Sequence, residues 1–423
     1  MTKFDLFLFY DDGSEASRDL RDTIDAAKGK GIMPETLTRR LVTFASEYAL
    51  SGNIWQQWLT YLLMTLENPF TLACEREAVR EDSTLFRLAL PDFGNFRALF
   101  RLDFRETPEA RILYAMTDWK PPYEQDRSSG TGEKIARLSH ELARTEDSEA
   151  FGRVITAYYR TYGAGIYSLY RAFRVSGDGK EIRLVPVTED TDVCFDDLIG
   201  LEEQKKTLKE NTEAFLNAKL ANNVLLYGDS GTGKSTSIHA LMHDYFDQGL
   251  RLVEISKQDR RLLPGVLAAI KKRNYRFIIF LDDLSFEENE SDYKELKAML
   301  EGALEKRSDR VLIYATSNRR HLIRETWKDR NDMEYQEDIH HSDTMEEKLS
   351  LASRFGVTIY YSKPDPKEYL RIVRELCARS GVEISEKDLF DAARKWELRH
   401  GGMSGRTASQ FITWLKGTAD EKQ

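Results

Sequence analysis

The fold of this chain is decided by one stretch, Gly228-Asp229-Ser230-Gly231-Thr232-Gly233-Lys234-Ser235, which stands between an apolar run and a helical pattern. The run before it, residues 223–227, is short and apolar, as expected of a buried parallel strand. The sequence after it repeats apolar side chains at helical spacing, at Ile238, Leu241, Met242 and Tyr245. Strand, glycine-rich loop and helix in this order predict a site for the phosphates of ATP or GTP.

The residue types in this loop suit an anionic ligand. Glycines let successive backbone N–H groups converge on a phosphate, and the helix N-terminus adds a partial positive charge. Lys234 is expected to reach the β- and γ-phosphates, and Ser235 to offer its hydroxyl to Mg²⁺. The predicted nucleotide-binding residues of this loop are Gly228, Asp229, Ser230, Gly231, Thr232, Gly233, Lys234, Ser235 and Thr236.

Composition and charge narrow the class of protein. The chain has 423 residues, of which 41% are hydrophobic and 31% charged, typical of a globular protein with two or three domains. Its net charge of −9 argues against wholesale attraction to nucleic acid or to an anionic membrane. The 3 cysteines are far apart and the N-terminal segment lacks a signal-peptide pattern, so we expect a cytoplasmic protein. The most apolar segment, Ile54 to Leu66, contains Gln56 and Gln57 and predicts a core helix, not a membrane span.

The pattern of the chain changes at about residue 193. Residues 1–175 predict a mainly helical N-terminal domain of unknown role, and turn residues in 176–192 predict a linker. From 193 to 362 short apolar strands alternate with helices, which indicates an α/β core with a parallel sheet. Residues 363–423 return to helical spacing and predict a helical lid. The predicted strands are Val224–Tyr227, Leu252–Ile255, Phe277–Leu281, Val311–Ala315 and Val357–Tyr361.

Tyrosines are concentrated near the end of the predicted N-terminal domain, between residues 158 and 170. Aromatic rings of this kind could stack on nucleic-acid bases. Their helical spacing and their Ala and Leu neighbours favour a core face or a domain contact instead. The tyrosines concerned are Tyr158, Tyr159, Tyr162, Tyr167 and Tyr170.

A second acidic element helps to choose among a kinase, a GTPase and a motor. The apolar strand predicted at 277–281 ends in Asp282 and Asp283. The first carboxylate would orient the ligands around Mg²⁺, and the second would polarise an attacking water. The alternative is that the two acids simply end a strand in solvent.

The strand at 311–318 ends in a small polar cluster, and here the sequence resembles the AAA+ ATPases. The resemblance implies that Asn318 lies between the two acids and the γ-phosphate, where its amide holds the lytic water. It also implies that Arg354 is an arginine finger, inserted into the site of a neighbouring copy in a homo-oligomer. Arg406, in the segment 402–406, matches the lid arginine that reaches the nucleotide of its own chain.

The same resemblance covers the residues that contact the adenine base and the acidic residue at position 283. Ile199 and Gly200 match the segment whose backbone contacts adenine, which favours ATP over GTP. Asp283 stands where these ATPases usually carry Glu, which is one methylene longer.

Several further segments occur together and in order, and they narrow the resemblance. From about Tyr162 to Gly417 the chain is similar to the bacterial AAA+ family catalogued as domain of unknown function 815. Membership implies a P-loop ATPase core with a small helical lid, ATP binding and hydrolysis, and it names no substrate. The segments are Asp196–Gly200, Asn211–Glu213, Asn222–Leu226, Asp282–Phe286 and Ala315–Leu322.

We therefore expect an AAA+ ATPase that binds and hydrolyses Mg-ATP and drives conformational change in an unidentified macromolecular partner. Polypeptide threading is disfavoured because residues 256–265 contain no aromatic side chain. Segment 257–276 carries seven Lys or Arg against one acid, Asp259. It could contact nucleic acid, as in helicase-loader-like AAA+ proteins, or it could be a solvated helix face. A further alternative is an ATP-dependent switch or adaptor with little turnover.

Overall fold

The computed structural model describes residues 7–14, 17–28, 34–106, 108–122, 130–177, 182–187, 193–271, 273–284, 309–318 and 354–420. The chain divides into two compact units, Met1–Tyr170 and Arg171–Gln423. Within the described residues, no helix is both long and apolar enough to cross a membrane.

The first unit is helical. Polar side chains begin several of its helices: Asn53 accepts a hydrogen bond from the Gln56 N–H, and Asp147 accepts one from the Ala150 N–H. Such caps satisfy backbone donors that the first helical turn leaves without partners. The helices are α1 Arg18–Ala27, α2 Pro34–Glu47, α3 Ile54–Thr65, α4 Pro69–Arg76, α5 Thr84–Phe100, α6 Gly130–Ala143, α7 Ser148–Tyr162 and α8 Ile166–Leu169, with a 3₁₀ segment at Pro108–Thr117.

The core of the first unit is rich in aromatic side chains. α3 is buried on most of its surface, as the apolar segment 54–66 predicts for a core helix. Tyr158, Tyr159 and Tyr167 are 7%, 0% and 9% exposed, so these three rings are not available to stack on bases. The core interpretation of the tyrosine-rich segment is therefore confirmed at these positions.

The second unit is built on a seven-stranded sheet with the order β2-β1-β4-β5-β6-β3-β7. The β1–β2 pair is antiparallel, and every other neighbouring pair is parallel. Most residues of the inner strands β3, β4, β5 and β6 are buried and apolar, as expected of a parallel sheet that is covered on both faces. The strands are β1 Ala172–Gly177, β2 Ile182–Pro186, β3 Val224–Gly228, β4 Leu250–Glu254, β5 Arg276–Leu281, β6 Val311–Ser317 and β7 Val357–Tyr361.

The five predicted strands are present, with ends that differ by two residues or fewer. Two further strands come from the end of the predicted N-terminal domain and from the segment 176–192, predicted as a linker. β1 and β2 form a hairpin, and β1 also pairs with β4, Phe173 lying opposite Val253. This segment therefore contributes to the sheet, and the boundary between the two units lies before it, at Tyr170.

Six helices of the second unit are described. The lid predicted at 363–423 contains three of them, which share a small apolar core of their own. α12 begins as its sequence predicts: Pro366 occupies the first turn and Asp365 accepts hydrogen bonds from the N–H groups of Lys367 and Glu368. The helices are α9 Glu202–Leu216, α10 Lys234–Tyr245, α11 Leu263–Ile270, α12 Pro366–Ser380, α13 Glu386–Arg399 and α14 Gly405–Asp420.

Candidate functional site

A cleft of about 1120 Å³ lies at the carboxyl ends of β3, β5, β6 and β7. The order of the strands in the sheet determines where this cleft lies. From β3 the chain crosses to β4 on one side of the sheet, and β7 returns to the other side of β3. Open parallel sheets bind ligands outside the carboxyl ends of their strands at such a switch point. All residues from Ser230 to Thr236 line the cleft, together with Asp282, Asp283, Asn318 and Arg406.

The glycine-rich loop follows β3 and leads into α10. Gly228 has a φ of 135° and Gly233 a φ of 97°, conformations that favour glycine. A Cβ on Gly228 would also collide with the carbonyl oxygen of Tyr361 on β7. The Asp229 N–H donates to that same oxygen at 3.1 Å, so the loop is anchored to the neighbouring strand. The loop thus reaches the cleft at the N-terminus of α10, where an anion is stabilised.

Lys234 supplies a positive charge at the first position of α10. Its side chain is buried at 5% exposure, and its Nζ donates to the carbonyl oxygens of Gly228 and Asp229 at 3.1 and 2.6 Å. Burial lowers the pKa of Lys234, and the carboxylates of Asp282 and Asp283 act in the opposite direction. A phosphate that entered the cleft would contact this ammonium group, and its negative charge would balance the positive charge of Lys234.

Ser235 and Asp282 meet across 47 positions of sequence. The Ser235 hydroxyl donates to Oδ1 of Asp282 at 2.7 Å. Mg²⁺ prefers oxygen ligands and is usually held by one or two protein oxygens together with substrate phosphates. Within the described residues, no group of three or more His, Cys, Asp or Glu could hold a metal alone. The two oxygens therefore fit Mg²⁺ delivered with a phosphate ligand.

Asp283 and Asn318 form a second polar pair at this edge of the sheet. The Asn318 amide donates to Oδ1 of Asp283 at 2.7 Å, and both side chains line the cleft. Asp283 has a φ of 49°, in the left-handed region, which costs on the order of 1–3 kcal/mol for a residue with a side chain. Strain of this kind persists only where neighbouring contacts hold the backbone in place.

Thr316 is a cleft residue that the sequence analysis missed. It lies on β6, and its hydroxyl donates to Oδ1 of Asp282 at 2.5 Å. The Thr316 hydroxyl oxygen in turn accepts a hydrogen bond from the Asp283 N–H at 2.9 Å. The available signal was the polar cluster that ends β6, from which only Asn318 was selected. A sheet strand exposes alternate side chains on each face, and Thr316 shares a face with Asn318.

The lid reaches the loop through the start of α14. The Arg406 N–H donates to the carbonyl oxygen of Gly231 at 3.2 Å, and the exposed Arg406 side chain lines the cleft. Ser404 precedes the helix and accepts a hydrogen bond from the Thr407 N–H. The Gly231 backbone comes close to this segment, since a Cβ there would lie 3.0 Å from the Ser404 hydroxyl. The backbone of Arg406 therefore contacts the glycine-rich loop, and its role toward a nucleotide stays a prediction.

Part of the cleft lining is apolar. Gly200 does not itself line it, but a Cβ on Gly200 would collide with Glu368 of α12, so the backbone there passes close to the lid. Arg379 of α12 donates to the Asp196 carbonyl oxygen at 2.8 Å. A flat aromatic base fits the apolar part of the lining better than a charged group does. The apolar lining comprises Val193, Leu198, Ile199, Leu201, Ile372 and Leu376.

Arg354 lies elsewhere. It precedes β7, whose five residues separate it from the cleft by about 17 Å of strand. Among the described residues that line the cleft, Arg354 is absent. Its place at the amino end of β7 sets it apart from the cleft of its own chain.

The basic segment 257–276 does not form one surface. Lys257 and Arg261 follow β4 at the carboxyl edge of the sheet, whereas Lys271 and Arg273 precede β5 at the amino edge. α11, of eight residues and about 12 Å, separates the two groups. Some residues of the basic segment and of the segments that resemble the family lie outside the described residues, namely Lys272, Ser285, Phe286 and residues 319–322.

Fold and site together define an α/β protein of the P-loop type, with a helical lid over an oxygen-lined cleft. Residues 168–419 match the model of the family described as "Protein of unknown function (DUF815)". This match covers more than half of the chain, and the chain belongs to the DUF815 family.

Among solved structures, the chain is similar to the FIGL-1 AAA domain in complex with ADP, with 20% identity over 54% of this chain and 75% of that chain, and a TM-score of 0.37. It is also similar to two variants of RuvB from Thermotoga maritima. Each is 18% identical over 54% of this chain, with 66% and 67% of the RuvB chains covered and TM-scores of 0.37 and 0.39. With TM-scores this low, the likeness supports no statement about function.

Proposed function

We propose that this chain is an AAA+ ATPase that binds and hydrolyses Mg-ATP to change the conformation of a macromolecular partner. One observation carries the proposal: the phosphate loop, the acid pair after β5 and Asn318 after β6 converge on one cleft that Arg406 of the lid also lines. The cleft lining includes apolar side chains that suit a base, and a lysine and oxygen groups that suit phosphates and their metal.

At the phosphate end, Lys234 and the N–H groups at the start of α10 would bind the β- and γ-phosphates. Arg406 would add a second positive charge from the lid, so closure of the lid would depend on the nucleotide. Both groups would stabilise charge that builds on the phosphoryl oxygens during bond cleavage.

Ser235 and Asp282 would hold the Mg²⁺ that accompanies ATP. When bound, the ion neutralises phosphate charge and polarises the γ-phosphoryl group. The existing hydrogen bond suits this role because the hydroxyl proton is directed to Asp282, which leaves the lone pairs of the Ser235 oxygen for the metal.

Asp283 would accept a hydrogen bond from the attacking water and polarise it, while Asn318 orients the same water with its amide. The carboxylate is one methylene shorter than Glu. The Asn318 amide donates to Oδ1 of Asp283 at 2.7 Å, and this contact fixes the position of that oxygen. Arg354, at the amino end of β7, would act in the cleft of a neighbouring copy, where a guanidinium stabilises the transition state.

The direct test is steady-state phosphate release by the full chain with ATP, with and without Mg²⁺, over a range of protein concentrations. We expect Mg²⁺-dependent turnover whose rate per molecule rises with protein concentration, because a finger supplied in trans requires assembly. GTP serves as the control nucleotide. The absence of turnover at every concentration would contradict the proposal.

One observation favours a second candidate, an ATP-dependent switch with little turnover. Asp283 is short and is already engaged by Asn318, and both features would slow water activation. In that case, ATP would bind and protect the lid from proteolysis while phosphate release stayed low at all protein concentrations. Turnover that rises with concentration would exclude the switch.

A further inference from the structure

Thr316 occupies a position that joins the two acidic residues of the cleft. It is 2% exposed near the carboxyl end of β6, which pairs with β5 in parallel, Leu281 lying opposite Ala315. This pairing brings the residue after Ala315 beside the residues that follow β5. The three contacts of Thr316 with that segment are a donated bond to Asp282, an accepted bond from Asp283 and a carbonyl that accepts the Leu284 N–H at 2.7 Å.

The hydroxyl has a single proton, and the geometry directs it to Asp282. Its lone pairs then remain for the Asp283 N–H, so donation and acceptance reinforce each other. Oδ1 of Asp282 receives two hydroxyl donors, from Ser235 and from Thr316, which fix the plane of the carboxylate. The backbone of Asp283 is left-handed at the same point, and Thr316 bonds to the N–H groups of both Asp283 and Leu284.

We propose that Thr316 is a positioning residue that sets the placement of Asp282, the metal-shell acid, relative to Asp283, the acid that polarises water. The inference rests on the proposed function, because it assigns Thr316 a role in the same reaction. Thr316, at 2% exposure, acts through the two acids.

The test compares Thr316→Val, which keeps the shape and removes the hydroxyl, with Thr316→Ser, which keeps the hydroxyl. Thr212→Val is the matched control. Thr212 is also a buried threonine, and its hydroxyl bonds to Leu208 and Tyr314, away from the acids. Calorimetric ATP affinity is measured for the full chain with Mg²⁺ and with EDTA, alongside kcat and KM.

We expect Thr316→Val to reduce the gain in ATP affinity that Mg²⁺ confers, and kcat, by about 10- to 100-fold each, as for other partners of metal ligands. Affinity in EDTA should be unchanged because Lys234 and the loop remain. Thr316→Ser should restore both quantities, and Thr212→Val should lower the thermal unfolding temperature without changing either. If Thr316→Val does not fold, Thr316→Ala replaces it.

If Thr316→Val lost ATP affinity equally in Mg²⁺ and in EDTA, its role would be merely structural and the inference would be overturned. The same would hold if Thr212→Val lost as much of the Mg²⁺-dependent ATP affinity and of kcat as Thr316→Val. A Thr316→Val protein with wild-type Mg²⁺ dependence and kcat would also overturn it, while leaving the proposed function intact. If the wild-type chain gains no ATP affinity from Mg²⁺, the proposed function fails first, and the inference falls with it.

Discussion

The two units of this chain bury polar groups in opposite ways. In the first unit, the Tyr159 hydroxyl donates to the Leu63 carbonyl oxygen at 2.7 Å and lies 3.0 Å from the Tyr10 hydroxyl. Burial raises the pKa of both tyrosines well above the ordinary value. Asp92 is likewise fully buried and accepts the N–H groups of Leu8 and Phe9. Each of these groups has a partner within its own unit.

In the second unit, one group of polar side chains lines an open cleft. Lys234 is buried, yet the cleft reaches its side chain, and Asp282 and Asp283 are exposed in the same cleft. These three side chains bond to neighbouring groups and still line the cleft; their partners are Gly228, Asp229, Ser235, Thr316 and Asn318. The comparison teaches that a buried polar network stabilises a fold when its own chain satisfies it, and indicates a ligand when it lines accessible space.

Lys234→Ala provides the strongest test of this difference. Loss of the ammonium group should abolish ATP binding, measured by calorimetry, because no other lysine stands at the start of α10. Lys271→Ala, an exposed lysine outside the cleft, is the control and should bind ATP normally. ATP binding that survives in Lys234→Ala would mean that the cleft groups serve the fold, as those of the first unit do.

Arg354→Ala sharpens the comparison by separating binding from turnover. ATP affinity should stay at the wild-type value because Arg354 lies at the opposite end of β7 from its own cleft. Phosphate release should fall by roughly 10³-fold or more, the usual worth of an arginine finger. Arg399→Ala, at an exposed arginine of α13, is the control. Normal turnover in Arg354→Ala would remove the finger assignment.

Asp283→Asn tests the acid that polarises water. The amide keeps the size of the side chain but accepts a proton poorly, so turnover should fall by about 10²- to 10⁴-fold while ATP affinity is retained. The variant should also hold the ATP state long enough to recover a bound partner in a tagged pull-down. Turnover near the wild-type rate would show that another group activates the water.

Tyr159→Phe examines the first unit and has the smallest expected effect. Removal of the hydroxyl leaves the buried Leu63 carbonyl and Tyr10 hydroxyl with one partner fewer, which should destabilise the unit by about 1–3 kcal/mol. Urea unfolding of the full chain measures this change, and ATP affinity should not alter. Tyr114→Phe, at a 46% exposed ring, is the control and should change stability by less than about 0.5 kcal/mol. A loss of ATP binding in Tyr159→Phe would contradict the division of roles.

Much of the sheet follows from local sequence. β3 and β5 are continuous apolar runs, and such runs define buried parallel strands within one or two residues. β1 and β2 were missed as members of the sheet because their pattern alternates and turn residues surround them. Their place depends on β1 pairing with β4, about 80 positions along the chain, which no local pattern specifies.

The candidate site divides in the same way. The sequence by itself determined the glycine-rich loop, Lys234, the acids after β5 and Asn318, because each is a residue type in a fixed local context. Only the tertiary structure showed Thr316 between the two acids. It also distributed the basic segment over two edges of the sheet. Such placements depend on strand order and register, which bring together side chains that are tens of residues apart, whereas sequence patterns specify only near neighbours.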